Sequence, residues 1–132
     1  MPVVDASVVV ELFAEREHAD QVEERLHAEE HTLWAPHLID AEIGHVLRRH
    51  VQRGWMDAEA AGKALWEIDE LPIRRVEHEL LVHFAWDLRD NFSFYDGLYV
   101  ALALVLGEPL LTLDARLARS GVDVPIEVLA QA

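Results

Sequence analysis

Strand-like and helix-like segments alternate along the whole chain, and this alternation constrains the fold more than any other feature. Short apolar runs are repeatedly followed by longer segments whose apolar residues recur every three or four positions. The strand predictions are residues 2–4, 32–35, 72–76, 110–113 and 124–128. The helix predictions are residues 6–17, 18–30, 36–53, 57–69, 80–90, 93–107 and 115–120.

This order predicts an α/β fold: a three-layer sandwich in which helices flank a mainly parallel, five-stranded sheet. We expect one domain over residues 1–132, since no repeat or linker interrupts the pattern. Acids interrupt the apolar N-terminal segment, which is not typical of a signal peptide, and the uncharged run at residues 97–107 is too short to cross a bilayer. A cytoplasmic protein with no membrane partner is therefore expected.

The charge balance restricts the classes of partner. The chain has 11 Lys and Arg against 25 Asp and Glu, a net charge of −14. Such a protein repels nucleic acid at long range unless cations or a local basic patch intervene. It contains no Cys, which excludes thiolate metal sites. The composition is compatible with a metal-dependent enzyme or with a protein that binds a basic partner.

Two acids directly follow predicted strands, which is where ligands collect in parallel α/β folds. Asp5 follows the apolar pair Val3 and Val4, and Asp114 follows the strand at residues 110–113. An Asp between a strand and a helix is also a favoured N-cap. For each residue taken alone, the capping role and the site role both stay open.

Two helices supply further acids. Asp96 lies in the first turn of an uncharged helix that is apolar on every side and should be central and buried, although Ser93 and Asp96 also match a capping box. In the helix that begins at Pro36, Asp40 and Glu42 flank the apolar stripe from opposite sides, so periodicity does not choose between them. The helix dipole already accounts for Asp40, which favours Glu42 as the site residue.

Several carboxylates in one cleft repel each other, and desolvation adds to the cost of their charges. A divalent cation is the usual remedy, and ligand sets made only of oxygen select Mg²⁺ or Mn²⁺. Such a site suits phosphoryl chemistry, because the metal activates water and stabilises charge on phosphodiester oxygens. The acids therefore predict metal-dependent phosphodiester hydrolysis.

In these motifs the chain resembles the PIN-domain ribonucleases of the VapC toxin type, the toxin half of a bacterial toxin–antitoxin pair. The matching pieces are residues 4–7, 36–42 leading into 46–49, 95–103 and 111–118. They follow the family's order and span nearly the whole chain, so the set is specific although no piece is diagnostic alone. Gly97 stands where the family usually has Ala, which predicts a small cost in helix stability.

The resemblance implies the sheet order 3-2-1-4-5 and a catalytic quartet of acids. Asp5 and Asp96 would hold Mg²⁺ or Mn²⁺ directly, while Glu42 and Asp114 would bind it directly or through water. The resemblance further implies an RNA substrate of the tRNA or ribosomal RNA class, products with 5′-phosphate and 3′-hydroxyl ends, a homodimer, and a cognate antitoxin protein that binds near the active site. The excess negative charge suits a basic antitoxin tail.

Other polar residues are expected around this site. Ser7 and Thr112 match family positions that orient the acids or water. Arg48, Arg49 and Arg116 are candidates for contacts with RNA phosphates. For each arginine taken alone, ordinary solvated helix surface or pairing along a helix is the favoured explanation.

Two other functions compete with the ribonuclease interpretation. A phosphoaspartate-type phosphatase also places Asp after its first strand, but its pattern is D-x-D, whereas position 7 is Ser. A catalytically silent PIN-like binding module is the second alternative, and the presence of all four acids argues against it. A contribution from Asp40 stays open.

Overall fold

The computed structural model describes residues 1–14, 16–28 and 32–129. The strands are β1 (Val3–Val4), β2 (Leu33–Pro36), β3 (Ile73–Val76), β4 (Leu110–Thr112) and β5 (Ile126–Val128). They form one sheet in the order β3-β2-β1-β4-β5, and every neighbouring pair is parallel. The predicted parallel sheet and its strand order are confirmed.

The helices flank this sheet as expected. They are α1 (Ala6–Phe13), α2 (Ala19–His27), α3 (Leu38–Gln52), α4 (Ala58–Ile68), α5 (Val82–Asp87), α6 (Phe94–Leu106) and α7 (Ala115–Ala118). A 3-10 helix (His78–Leu80) precedes α5, so the segment predicted to begin as an α-helix at residue 80 begins with a tighter turn. The end predicted for the second helix, at residue 30, lies outside the described residues.

The core is built around β1 and α6. Val3 and Val4 of β1 are completely buried, as expected for a central parallel strand covered on both faces. Residues 97–103 of α6 are also buried, which confirms that the uncharged helix is central. None of the helices in the described ranges combines the length and apolarity that crossing a membrane requires.

Gly97 has a packing role that the sequence did not indicate. A Cβ atom at this position would lie 3.3 Å from the carbonyl oxygen of Ala85 in α5. The missing side chain therefore lets α5 approach α6 closely at the start of the buried helix. The expected loss of helix propensity is accompanied by a gain in helix packing.

The strand order creates a crevice between β1 and β4. The chain moves from β1 outward to β3, and then crosses back to place β4 on the other side of β1. In open parallel sheets, ligands bind at such a reversal, beyond the carboxyl ends of the strands. Asp5 and residues 112–114 lie at this edge, where the Asp5 N–H donates to the Leu111 carbonyl at 3.3 Å.

Candidate active site

Asp5 lies at the carboxyl end of β1 and caps helix α1. Its Oδ1 accepts hydrogen bonds from the Val8 N–H, at 3.3 Å, and from the Ser7 hydroxyl. Its Oδ2 accepts a hydrogen bond from the Thr112 hydroxyl, on strand β4. Asp5 therefore does cap a helix, but both of its oxygens are also held within the crevice.

The two hydroxyls that hold Asp5 are themselves anchored to the backbone. Ser7 Oγ accepts a hydrogen bond from the Leu113 N–H at 3.2 Å, and Thr112 Oγ1 accepts one from the Asp114 N–H at 3.0 Å. Thr112 is completely buried. The orientation of the Asp5 carboxylate is thus set by β4 as well as by its own helix.

Burial raises the pKa of Asp5 to about 6. The hydrogen bonds from Ser7 and Thr112 oppose this rise, and the negative charge of Glu42 adds to it. A carboxylate that accepts several hydrogen bonds and still has a raised pKa is short of positive charge in its surroundings. Asp5 therefore offers an oxygen ligand for a cation.

Glu42 reaches the same crevice from α3, and Tyr99 reaches it from α6. Tyr99 is only 2% exposed, and its hydroxyl makes no hydrogen bond that meets ordinary distance and angle limits within the described residues. An unsatisfied buried hydroxyl costs about 1–3 kcal/mol. The free-energy cost of burying the Tyr99 hydroxyl is thus not offset by a hydrogen bond within the described residues.

A neighbouring acid raises the pKa of each of the two helix acids, Glu42 and Asp96. Burial raises the pKa of Glu42, the Tyr99 hydroxyl beside it opposes the rise, and the charge of Asp96 adds to it. Burial likewise raises the pKa of Asp96, and the charge of Asp114 adds to that rise. This is the repulsion between like charges that is expected where carboxylates share a cleft.

Asp114 has a positive partner. It caps α7 by accepting the Arg116 N–H at 3.0 Å, and its two oxygens contact Arg116 Nε at 3.0 Å and Nη2 at 2.7 Å. These bonds lower the pKa of Asp114, although the Arg116 side chain is 80% exposed. Within the described part of the chain, Asp114 is the one acid of the predicted quartet that forms an ion pair.

A single cavity of about 140 Å³ brings the whole predicted quartet together. It lies at the carboxyl ends of β1 and β4, between α3 and α6. Its lining residues are Asp5, Ala6, Ser7, Glu42, Val46, Asp96, Tyr99, Asp114 and Leu117. Tyr99 was not predicted as a site residue, although it is the only polar side chain in the apolar run at residues 97–107 and lies one helical turn after Asp96.

The donor chemistry of this cavity fits Mg²⁺ or Mn²⁺, since its charged ligands are all carboxylates. The side chains, however, are not arranged as a complete metal site. Among residues 1–14, 16–28 and 32–129, no three His, Asp or Glu side chains are placed to hold a metal ion together. Asp5 has both oxygens bonded to hydroxyls and Asp114 has both bonded to Arg116, so these two carboxylates point at partners within the protein.

Asp40 does not line the cavity. Its carboxylate pairs with Arg75 of β3, with Oδ2 2.7 Å from Nε and Oδ1 2.7 Å from Nη2. Of the two acids between which periodicity did not choose, Glu42 lines the cavity with the other predicted acids and Asp40 does not.

The three candidate arginines are in different surroundings. Arg48 and Arg49 are exposed on α3, and Arg48 Nη1 lies 3.5 Å from Gln52 Oε1 one turn further along. Neither lines the acidic cavity, so ordinary helix surface describes them adequately. Arg116 stands beside the acids and lines a second cavity, of about 280 Å³, that also contains Asp96 and Asp114.

Comparison with known proteins identifies relatives of the chain. The family model described as "PIN domain" matches residues 3–122. Ribonuclease VapC1 of Mycobacterium tuberculosis is 43% identical over 127 residues, which cover 96% of this chain and 94% of that protein. Ribonuclease VapC9 of the same species is 38% identical over 132 residues, covering 98% of each chain.

Solved structures share the fold. A toxin–antitoxin complex from Klebsiella pneumoniae contains a chain that is 12% identical, with a TM-score of 0.72 and coverage of 100% of both chains. VapC20 of Mycobacterium tuberculosis, described as a toxin that cleaves the sarcin–ricin loop, is 17% identical with a TM-score of 0.69; it covers 95% of this chain and 99% of its own. These likenesses support the arrangement of strands and helices around the cavity.

Proposed function

The chain belongs to the PIN-domain family, like the VapC ribonucleases that it resembles over nearly its full length, and we propose that it is a metal-dependent endoribonuclease that serves as the toxin of a toxin–antitoxin pair. One observation carries the metal-dependent part of the proposal. Four carboxylates from separate parts of the chain line one small cavity, and burial raises the pKa of three of them. Such a concentration of buried negative charge suits a divalent cation.

In this proposal Asp5 and Asp96 would hold Mg²⁺ or Mn²⁺ directly, and Glu42 and Asp114 would complete the set directly or through water. When bound, the metal would supply an activated water and neutralise charge on the scissile phosphate. Ser7 and Thr112 keep the Asp5 carboxylate oriented, because each ties it to β4.

The proposed substrate is RNA of the tRNA or ribosomal RNA class. Arg116 supports this choice, because its exposed guanidinium stands at a cavity that shares two acids with the site and offers a cation for a phosphate. The sarcin–ricin loop cleaved by the structural neighbour VapC20 is a precedent for a ribosomal target. An RNA substrate of this class supports the further proposal that the enzyme acts in the cytoplasm.

The proposed partners are a cognate antitoxin protein and a second copy of the chain. The Klebsiella neighbour was solved as a toxin–antitoxin complex, which supports an antitoxin for this chain as well. A net charge of −14 favours a partner whose binding segment is basic. The homodimer follows from the family resemblance alone.

The test is cleavage of a panel of structured RNAs by the wild-type protein and by Asp5→Asn and Asp96→Asn, with Mn²⁺ or Mg²⁺ present. We expect both variants to fold and to lose more than ~100-fold in rate, since even residues that only orient metal ligands contribute ~10–100-fold. Chelation should abolish wild-type cleavage, and added Mn²⁺ should restore it with 5′-phosphate and 3′-hydroxyl ends on the products.

Asp40→Asn is the matched control, because it removes one acid of α3 that is bound to Arg75 outside the cavity. It should cleave at the wild-type rate. Wild-type rates in both Asp5→Asn and Asp96→Asn, or cleavage that resists chelation, would exclude the proposed mechanism. A folded wild-type protein that cleaves no RNA would instead support the silent binding module.

A further inference from the structure

The Tyr99 hydroxyl is a buried polar group that the proposed reaction does not yet use. Tyr99 is 2% exposed and lines the cavity that contains the four acids. Its hydroxyl has no hydrogen-bond partner within the described residues. Because a phenylalanine would fill the same volume without burying a hydroxyl, packing alone does not explain a tyrosine here.

The surroundings of this hydroxyl make it a hydrogen-bond donor. Burial raises the pKa of Tyr99, and so do the negative charges of Glu42, Asp5 and Asp96. A phenol keeps its proton at neutral pH, because its ordinary pKa is about 10, and Tyr99 presents that proton in a cavity lined by carboxylates, which accept hydrogen bonds strongly. Of these three acids, Glu42 raises the pKa of Tyr99 most.

The other side of the cavity shows what such a donor does. There the Ser7 and Thr112 hydroxyls donate to Asp5 and hold its two oxygens in place. Glu42 projects from the second turn of α3 and lines the same cavity, with the Tyr99 hydroxyl as its hydroxyl neighbour. The two sides of the cavity would be alike if the Tyr99 hydroxyl held the Glu42 carboxylate by a hydrogen bond, as the Ser7 and Thr112 hydroxyls hold Asp5.

We propose that Tyr99 is a positioning residue of the nuclease site: its hydroxyl, which has no hydrogen-bond partner within the described residues of the metal-free protein, donates a hydrogen bond to Glu42 in the metal-bound site and so orients that carboxylate toward Asp5 and Asp96. The inference rests on the proposed function and adds a residue to it. Tyr99 acts through Glu42 and does not itself contact the scissile phosphate. Its ring supplies packing in the core, and its hydroxyl supplies orientation at the site.

The experiment compares Tyr99→Phe with the wild-type protein in three measurements: the Tm of the metal-free protein, the Mn²⁺ affinity by calorimetry, and the kcat for RNA cleavage. We expect the Tm to be unchanged or higher, because the variant removes an unpaired hydroxyl. We expect Mn²⁺ affinity or kcat to fall by ~10–100-fold, as is typical when a partner of a metal ligand is lost. Tyr95→Phe is the matched control, since it removes the hydroxyl of a 63% exposed tyrosine on the same helix.

A double-mutant cycle with Glu42→Gln tests whether Tyr99 acts through Glu42. If it does, Tyr99→Phe should have little further effect on Mn²⁺ affinity once Glu42 is changed. Fully additive effects would overturn the proposal. Wild-type Mn²⁺ affinity and kcat in Tyr99→Phe would also overturn it. A fall in Tm, or failure of Tyr99→Phe to fold, would overturn it too, because the hydroxyl would then have a structural role.

Asp5→Asn, measured in parallel, separates this inference from the proposed function. If Asp5→Asn is inactive and Tyr99→Phe is normal, only the positioning role fails. If Asp5→Asn cleaves RNA at the wild-type rate, the metal-dependent mechanism itself fails, whatever the result at Tyr99.

Discussion

The two sides of the acidic cavity are built differently. On the strand side, which consists of Asp5, Ser7 and Thr112, every side-chain oxygen takes part in a hydrogen bond, and the two hydroxyls also bind the backbone beside β4. On the helix side, which consists of Glu42 and Tyr99, both side chains line the cavity, and the buried Tyr99 hydroxyl has no hydrogen-bond partner within the described residues. The strand side is oriented by the sheet, whereas the helix side depends on side chains from two helices.

This difference explains how one small site can be both rigid and highly charged. The sheet can hold a carboxylate through short hydroxyl side chains, because neighbouring strands bring residues 5 and 112 into contact. Helices separated by a cavity require longer side chains, such as Glu and Tyr, to span the gap. We therefore expect substitutions on the strand side to lower the free energy of unfolding more than substitutions on the helix side, because the hydrogen bonds of the strand side stabilise the fold as well as the site.

The largest expected effect is on the pH dependence of stability of the metal-free protein. The pKa of Asp5 is about 6 in the folded state against 3.8 ordinarily, so the folded protein holds a proton that the unfolded chain releases. The free energy of unfolding should therefore fall as pH rises from about 4 to about 6, by about 3 kcal/mol from Asp5. Urea unfolding at several pH values, in the presence of a chelator, measures this fall.

Asp5→Asn provides the control, because an amide does not titrate and the part of the fall that comes from Asp5 should disappear, while the contributions of Glu42 and Asp96 remain. Mn²⁺ should stabilise the wild-type protein more at pH 7 than at pH 5, since a cation favours the charged carboxylate. If the stability of the metal-free wild-type protein rises over the same range relative to that of Asp5→Asn, the hydrogen bonds to Asp5 outweigh its burial, and the contrast between the two sides is wrong.

The next effect separates the two sides directly. Thr112→Val keeps the shape of a completely buried side chain but leaves Asp5 Oδ2 and the Asp114 N–H without the hydroxyl that joins them. We expect the free energy of unfolding to fall by about 1–3 kcal/mol. Denaturant unfolding of the metal-free protein is the measurement, and Tyr99→Phe is the comparison, with no loss expected. Equal losses from both substitutions would mean that the two sides are held alike.

The smallest expected effect is that of changing Asp40, an acid that belongs to neither side of the cavity. Asp40→Asn weakens the pair with Arg75, in which the Asp40 side chain is 54% exposed. Exposed pairs of this kind contribute less than about 1 kcal/mol, and less at high salt. We expect a small, salt-sensitive loss in denaturant unfolding and no change in Mn²⁺ affinity. A loss of Mn²⁺ affinity would show that Asp40 reaches the metal site after all.

Much of the fold and of the site followed from local patterns. Alternating segments predicted the parallel sheet, and the acids that follow β1 and β4 were expected at its carboxyl edge, where they lie. The uncharged stretch after Asp96 predicted a central helix, and that helix is buried. These features are predictable because helix and strand periods, and the position of a residue relative to its own strand, are encoded within a few residues.

Other features depended on residues far apart in the chain. Asp40 and Glu42 are equivalent by periodicity, and Arg75 on β3, 35 positions from Asp40, distinguishes them. Gly97 looked like a loss of helix propensity, and Ala85 of another helix makes it a packing residue. Tyr99 looked like part of an apolar stripe until the cavity placed its hydroxyl among acids.

The sequence by itself determined the order of strands and helices, the burial of α6, and the supply of acids at helix starts and strand ends. The tertiary structure alone decided which acids line the same cavity, which of them pairs with an arginine, and which hydroxyls bind their carboxylates. The reason is physical: periodicity reports which face of an element is buried, but the partner of a buried polar atom is chosen by the packing of elements that the chain joins only distantly. The hydrogen bond between Thr112 and Asp5 spans 107 positions of sequence and a single step across the sheet.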